Sequence, residues 1–126
     1  MAVRERGAAV VEFVLVMVLL VPLVLGIAQV ALVLHIRNTL ASAASEGARA
    51  ASPVGATPAD GAERTRTMIR AALDDQYADG VRASWTTVGG MPGAQVEVRT
   101  RVPALGLFGP SVPISVRGHA IREVEP

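Results

Sequence analysis

From Phe13 to Leu34 the chain has no ionisable side chain, and Gln29 is its one strongly polar residue. About 22 residues of α-helix span roughly 30 Å, the thickness of a bilayer's hydrocarbon core. The run is flanked by Arg4, Glu5 and Arg6 on one side and by His35 and Arg37 on the other. Pro22 and Gly26 lie inside it. In water a proline there would break the hydrogen-bond ladder. In a membrane, neighbouring groups satisfy the released carbonyl, so a tolerated kink is expected, with a hinge that eases extraction from the bilayer as the alternative.

Glu12 stands at the rim of this segment, where a carboxylate is costly unless it has a partner. Gly7 precedes it by five residues. If the chain is cut after Gly7, Ala8 acquires a charged amine and Glu12 lies one helical turn along the same face. The segment reads Gly7-Ala8-Ala9-Val10-Val11-Glu12-Phe13, and an Ala-rich continuation carries Ala44-Ser45-Glu46-Gly47-Ala48-Arg49. Together these resemble the TadE-like family of small Tad pilus-assembly proteins, relatives of the type IV pilins and pseudopilins. The resemblance reaches Ser52; beyond it only the layout of a helix followed by strands is similar.

The resemblance implies a minor pilin or pseudopilin of a Tad-type pilus assembly or secretion system. It implies processing by a prepilin peptidase at Gly7, Ala8, Glu12 and Phe13. It also implies that the Ala8 amine of one subunit pairs with Glu12 of a neighbour, which would set subunit stagger. The partners implied are the lipid bilayer, the peptidase, and pilin-like subunits or platform proteins of the Tad machinery. Ala8 departs from the Phe usual at the first mature position of many type IV pilins. An unprocessed, single-pass membrane-anchored scaffold or binding subunit is the alternative. A secretory signal peptide cut near Ala41-Ser42-Ala43 fits less well, because its apolar core would be too long and His35 and Arg37 intervene.

The expected organisation is a leader at 1–7, an N-terminal helix at 8–52 and a small extracytoplasmic domain at 53–126. Within the helix, the membrane span covers about 12–34 and the Ala-rich extension 35–52. The short Arg-bearing leader places the N-terminus in the cytoplasm and the domain across the cytoplasmic membrane. In the extension, Ala43, Gly47 and Ala51 recur at four-residue spacing, as do Ala44, Ala48 and Ser52. Such a stripe lets another helix approach closely. Ala44, Gly47, Ala48 and Ala51 are therefore candidate packing residues, either against the chain's own domain or along a seam between subunits. Glu46 and Arg49 can pair across a turn.

The domain reads as α+β. Thr57-Pro58-Ala59-Asp60 is a helix start, with Thr57 as N-cap and Pro58 in the first turn. Ala62, Thr65, Ile69, Leu73 and Tyr77 then recur at helical spacing, and Asp79-Gly80 reads as the stop. Three strands follow. Val81–Val88 places Val81, Ala83, Trp85 and Thr87 on one face; 94–102 alternates valines with Gln95, Glu97, Arg99 and Arg101; Val112–His119 turns Val112, Ile114 and Val116 inward. Gly89-Gly90-Met91-Pro92-Gly93 reads as the hairpin loop. The expected fold is thus a long transmembrane helix followed by one helix and a three-stranded antiparallel sheet. The Pro103–Pro110 connection is apolar for a loop and reads either as a cover over the core or as a patch for a partner or the membrane surface. A domain this small is marginal alone, so support from the long helix or from partner subunits is expected.

No catalytic constellation is visible, and the chain reads as a non-enzyme with no cofactor. It has no cysteine. His35 and His119 are isolated, and two histidines without spaced carboxylates or thiolates do not make a metal site. Asp74-Asp75 reads as a solvated helix face. The glycine loop at 89–93 lacks the lysine of a phosphate-binding loop. A net charge of +1 offers no basic face for nucleic acid.

Overall fold

The computed structural model describes residues 2–104 and 111–124. Its elements are α1 (Ala2–Ala50), α2 (Pro58–Ala72), a 3-10 turn (Asp75–Ala78), β1 (Val81–Val88), β2 (Met91–Val102) and β3 (Val112–Ile121). The strands form one antiparallel sheet in the order β1-β2-β3. Architecture and strand count agree with the α+β expectation.

Helix α1 runs for 49 residues and keeps Pro22 inside it. One element crosses two environments. Between Arg4 and Ala31 every residue is exposed except the half-buried Met17 and Gln29. From Ile36 onward, one face is buried in the domain through Ile36, Leu40, Ala43, Ala44, Ala48 and Ala51. The residues before Gly7, from Ala2 onward, belong to the same helix.

Helix α2 starts as its sequence dictates. The Thr57 backbone N–H donates to Asp60 Oδ2 at 2.8 Å, and the Asp60 N–H donates to Thr57 Oγ1 at 3.4 Å. This reciprocal capping box satisfies two otherwise orphaned donors. The helix ends earlier than its apolar spacing suggested. Leu73 turns extended, its N–H closing on the Ile69 carbonyl at 2.7 Å. Asp74 and Asp75 would place two carboxylates at the negative end of a longer helix. Tyr77 nevertheless reaches the core, carried there by the 3-10 turn.

The hairpin is also tighter than expected. Its turn is only Gly89-Gly90, with φ of 57° and 83°. Both residues occupy the left-handed region, as a two-residue hairpin turn that follows strand twist requires. Met91 and Pro92 therefore belong to β2, opposite Val88 and Thr87. Strand β3 extends past His119 to Ile121.

The inner face of the sheet supplies Val81, Val96, Val98, Val102, Ile114 and Val116 to a core completed by α1 and by Ile69 and Tyr77. Trp85 shares that face but is 43% exposed, because it lies towards the hairpin end, outside the buried core. There the Arg122 guanidinium stacks 4.5 Å from its ring centroid, a cation–π contact. Of the expected Pro103–Pro110 loop, Leu105–Pro110 lie outside the described residues.

Backbone reaches backbone where α1 meets its neighbours. A Cβ on Gly47 would stand 2.6 Å from the Gly61 carbonyl oxygen of α2, and one on Gly61 would stand 2.7 Å from that of Gly47. Beside this crossing the buried Thr65 hydroxyl donates to the Gly61 carbonyl at 2.8 Å and lies 3.3 Å from that of Ala43. On the sheet side, a Cβ on Gly118 would fall against the backbone of Ala44 and 2.5 Å from the Ser45 nitrogen. Rigid backbone cannot yield as a side-chain tip can, so overpacking there is expected to cost about 1–3 kcal/mol or more. Gly118→Ala should lower the melting temperature of the domain in detergent. Gly26→Ala, which meets nothing within 4 Å, should leave it unchanged. Equal melting of the two variants would contradict this packing.

Candidate functional site

The processing candidates all lie on the bare part of α1. Gly7, Ala8, Glu12 and Phe13 are exposed, Phe13 at 63%. A Cβ on Gly7 would meet nothing within 4 Å. Ala8 and Glu12 are four residues apart on continuous helix, a rise of about 6 Å on one face. Among the described residues Glu12 makes no ion pair, so its carboxylate is open to a partner outside this fold. The Gly7–Ala8 bond is itself helical. A peptidase that needs an extended strand must first open this first stretch of helix. Glycine eases that step, being about 1 kcal/mol less favourable than alanine within a helix.

Further along, Pro22, Leu23, Gly26, Ile27, Val30, Ala31 and Leu34 line a shallow apolar groove of about 560 Å³ on the same bare helix. Val30 and Leu34 remain more than half exposed. This stretch is long and apolar enough to cross a membrane, with a mean hydropathy of 2.9 over its most apolar window.

The small-residue stripe lies elsewhere. Ala44, Ala48 and Ala51 have no exposed surface, and Gly47 is buried against α2. The close approach they permit is made within the chain, by α2 and β3. Glu46 and Arg49 pair at 2.7 Å on the exposed side of the same stretch.

The outer face of the sheet carries a charged group that the sequence pattern marked only as outward-facing. Cross-strand register aligns Arg82, Glu97 and Arg117 in one row. Glu97 accepts a hydrogen bond from Arg99 Nε, and Arg117 Nε lies 3.7 Å from its other oxygen. The Arg99 hydrogen bond, helped by the charges of Arg99, Arg117 and Arg82, holds the Glu97 carboxyl below its ordinary value. Arg101 donates to the Ser111 hydroxyl at 3.4 Å. The histidines sit on separate elements: His119 Nε2 is 3.0 Å from Gln95 Oε1, and His35 lines a groove with Leu32, Ile36, Asp74 and Tyr77.

Residues 7–49 match the family model described as TadE-like protein. This segment is TadE-like. The match begins at the candidate cleavage glycine and ends at Arg49, one residue before α1 does. It takes in both the bare half of the helix and the stripe that packs on the domain, and leaves the sheet outside. A TadE-like segment points to a Tad pilus-associated component, a structural role in assembly. No curated protein and no solved structure matches the chain.

The Glu97 cluster makes a test that is independent of this family. A carboxyl with a lowered folded-state pKa adds stability above its ordinary titration range, and that contribution is lost as pH falls through the lowered value. In an NMR titration Glu97 should protonate below the ordinary glutamate range, and Arg99→Ala should move its midpoint upward. An unchanged midpoint in the variant would show that Arg99 is not the main cause.

Proposed function

We propose that this chain is a pilin-like minor pilin or pseudopilin of a Tad-type pilus assembly or secretion system, processed by a prepilin peptidase between Gly7 and Ala8. The observation that carries this reading is that the TadE-like match starts at Gly7 and covers a helix whose first half is apolar and bare. A domain built at one end of such a helix leaves the other end available to a bilayer and then to neighbouring helices.

The chemistry asked of the chain is modest. Gly7 offers a peptide bond without side-chain bulk where a charged leader meets the apolar segment. Cleavage turns Ala8 into an ammonium group four residues from Glu12. In low dielectric a lone carboxylate is costly, and an ammonium partner offsets much of that cost. Pairing Glu12 with the Ala8 amine of an adjacent subunit would penalise wrong stagger. The Pro53–Pro126 domain lies on the extracytoplasmic side in this reading, with Arg4 and Arg6 retained in the cytoplasm. The chain acts through assembly and not through catalysis.

Mass spectrometry of the N-terminal peptide, after co-production with a prepilin peptidase, tests the reading. The mature chain should begin at Ala8. Gly7→Val should leave a full-length, membrane-inserted precursor, whereas Glu12→Ala should fail in assembly even where cutting persists. A native chain beginning at Met1 or Ala2 under these conditions would favour the unprocessed scaffold. One beginning near Ala44 would indicate a secretory signal peptide.

A further inference from the structure

The domain and the apolar run overlap along α1. Gln29 Nε2 donates to the Pro103 carbonyl at 3.3 Å, and Leu32 and Val33 pack on the core. On the opposite side of the same turns Val30, Ala31 and Leu34 face outward. The lower end of the sheet, where Val102 pairs with Val112, therefore stands beside residues that belong to the membrane segment by composition.

Three placements of the bilayer are open, and magnitudes separate them. If the hydrocarbon stopped below Gln29, the stretch Phe13–Ala28 would span only about 24 Å, short of the roughly 30 Å core. Val30, Ala31 and Leu34 would also be left in water, at about 25 cal/mol for each Å² of apolar surface. If the helix instead slid outward to fill the core from its other end, Glu12 would be drawn into the hydrocarbon, which is costlier still. The remaining placement keeps Phe13–Leu34 in the membrane. Gln29 then lies about 7–8 Å below Leu34, among the upper acyl chains just beneath the interface.

We propose that the Val102–Val112 end of the sheet is seated in the bilayer interface on the domain's own side, touching lipid headgroups and the upper acyl chains. This inference rests on α1 crossing the membrane, as read above. The backbone at this end suits the position. The β2–β3 ladder stays paired to Val102–Val112, and the Pro103 carbonyl takes the Gln29 amide, so these described backbone groups have partners at that depth. Arg101, exposed beside Val102 on β2, can extend its guanidinium to the headgroups. Arg37 is exposed one turn beyond the apolar run, while Asp74 and Asp75 bring carboxylates to the same end of α2. The mixed charge means that burial, not attraction to anionic lipid, seats the domain. Zwitterionic phosphatidylcholine should suffice.

The chain has no cysteine and one tryptophan, which makes the test direct. Trp85 pairs with Ala94, about 26 Å along β2 from Val102, and serves as an internal reference. A single environment-sensitive fluorophore is placed on Pro103→Cys, and separately on the exposed Pro113→Cys, in full-length protein reconstituted into phosphatidylcholine vesicles. Lipids brominated near the headgroup should quench both labels strongly, lipids brominated near the chain end less, and Trp85 should be unaffected by either. Labels unquenched in protein that resists carbonate extraction would overturn the seating while leaving the span intact. Quenching of Trp85 along with the labels would overturn it in favour of a domain lying flat on the membrane. Extraction by carbonate would instead defeat the transmembrane reading on which the proposal rests.

Discussion

Close approach of backbone to backbone along the second half of α1 is the constraint on which the rest of the fold depends. Gly47 meets Gly61 of α2, and Ala44 meets Gly118 of β3. At these points the chain has no side-chain volume to spare. The small residues draw α2 and the sheet against one helix tightly enough to bury Ile36, Leu40, Ile69, Val96, Val98 and Val102. Without α1 the sheet would expose a whole apolar face, and a unit of this size has little other burial to offset the entropy of folding.

The same helix performs two tasks that demand opposite surfaces. Its first half carries a bare run, Phe13–Ala28, that is apolar all round, the signature of a segment whose solvent is lipid or other helices. Its second half is small on one face and polar on the other. Continuity between the halves transmits position: a shift of the helix must shift the domain, because one unbroken helix joins them. The TadE-like stretch at one end is thereby held in fixed relation to a rigid α+β unit at the other. The Gln29–Pro103 contact ties the domain down across the boundary.

Much of this was legible in the sequence where the deciding interactions are local. The Thr57–Asp60 box announced α2 because its hydrogen bonds close within one turn. The alternation from Ala94 to Val102 announced a half-buried strand. The misjudged boundaries were places where a residue's usual habit yielded to its partner. Pro92 looked like loop and is strand, since two left-handed glycines complete the turn without it. Tyr77 has helical spacing from Ile69 but arrives through a separate 3-10 turn. Spacing in the Ala-rich stretch showed that something approaches it closely, but not that the neighbours would be α2 and β3. Arg99 lies two residues from Glu97 on β2, but Arg82 and Arg117 belong to β1 and β3, and only register brings them to it. The overlap at Gln29 joins residues from opposite ends of the chain and leaves no local trace.

If α1 supplies a third of the buried core, the domain should fail to fold without it. The most direct measurement is amide hydrogen exchange on two soluble fragments, 53–126 and 35–126. The longer fragment restores Ile36, Leu40 and the Ala-Gly seam, and should show protected amides in β2 together with a cooperative melt. The shorter one should exchange as an unfolded chain. Protection of β2 in 53–126 alone, equal to that in 35–126, would contradict the shared core.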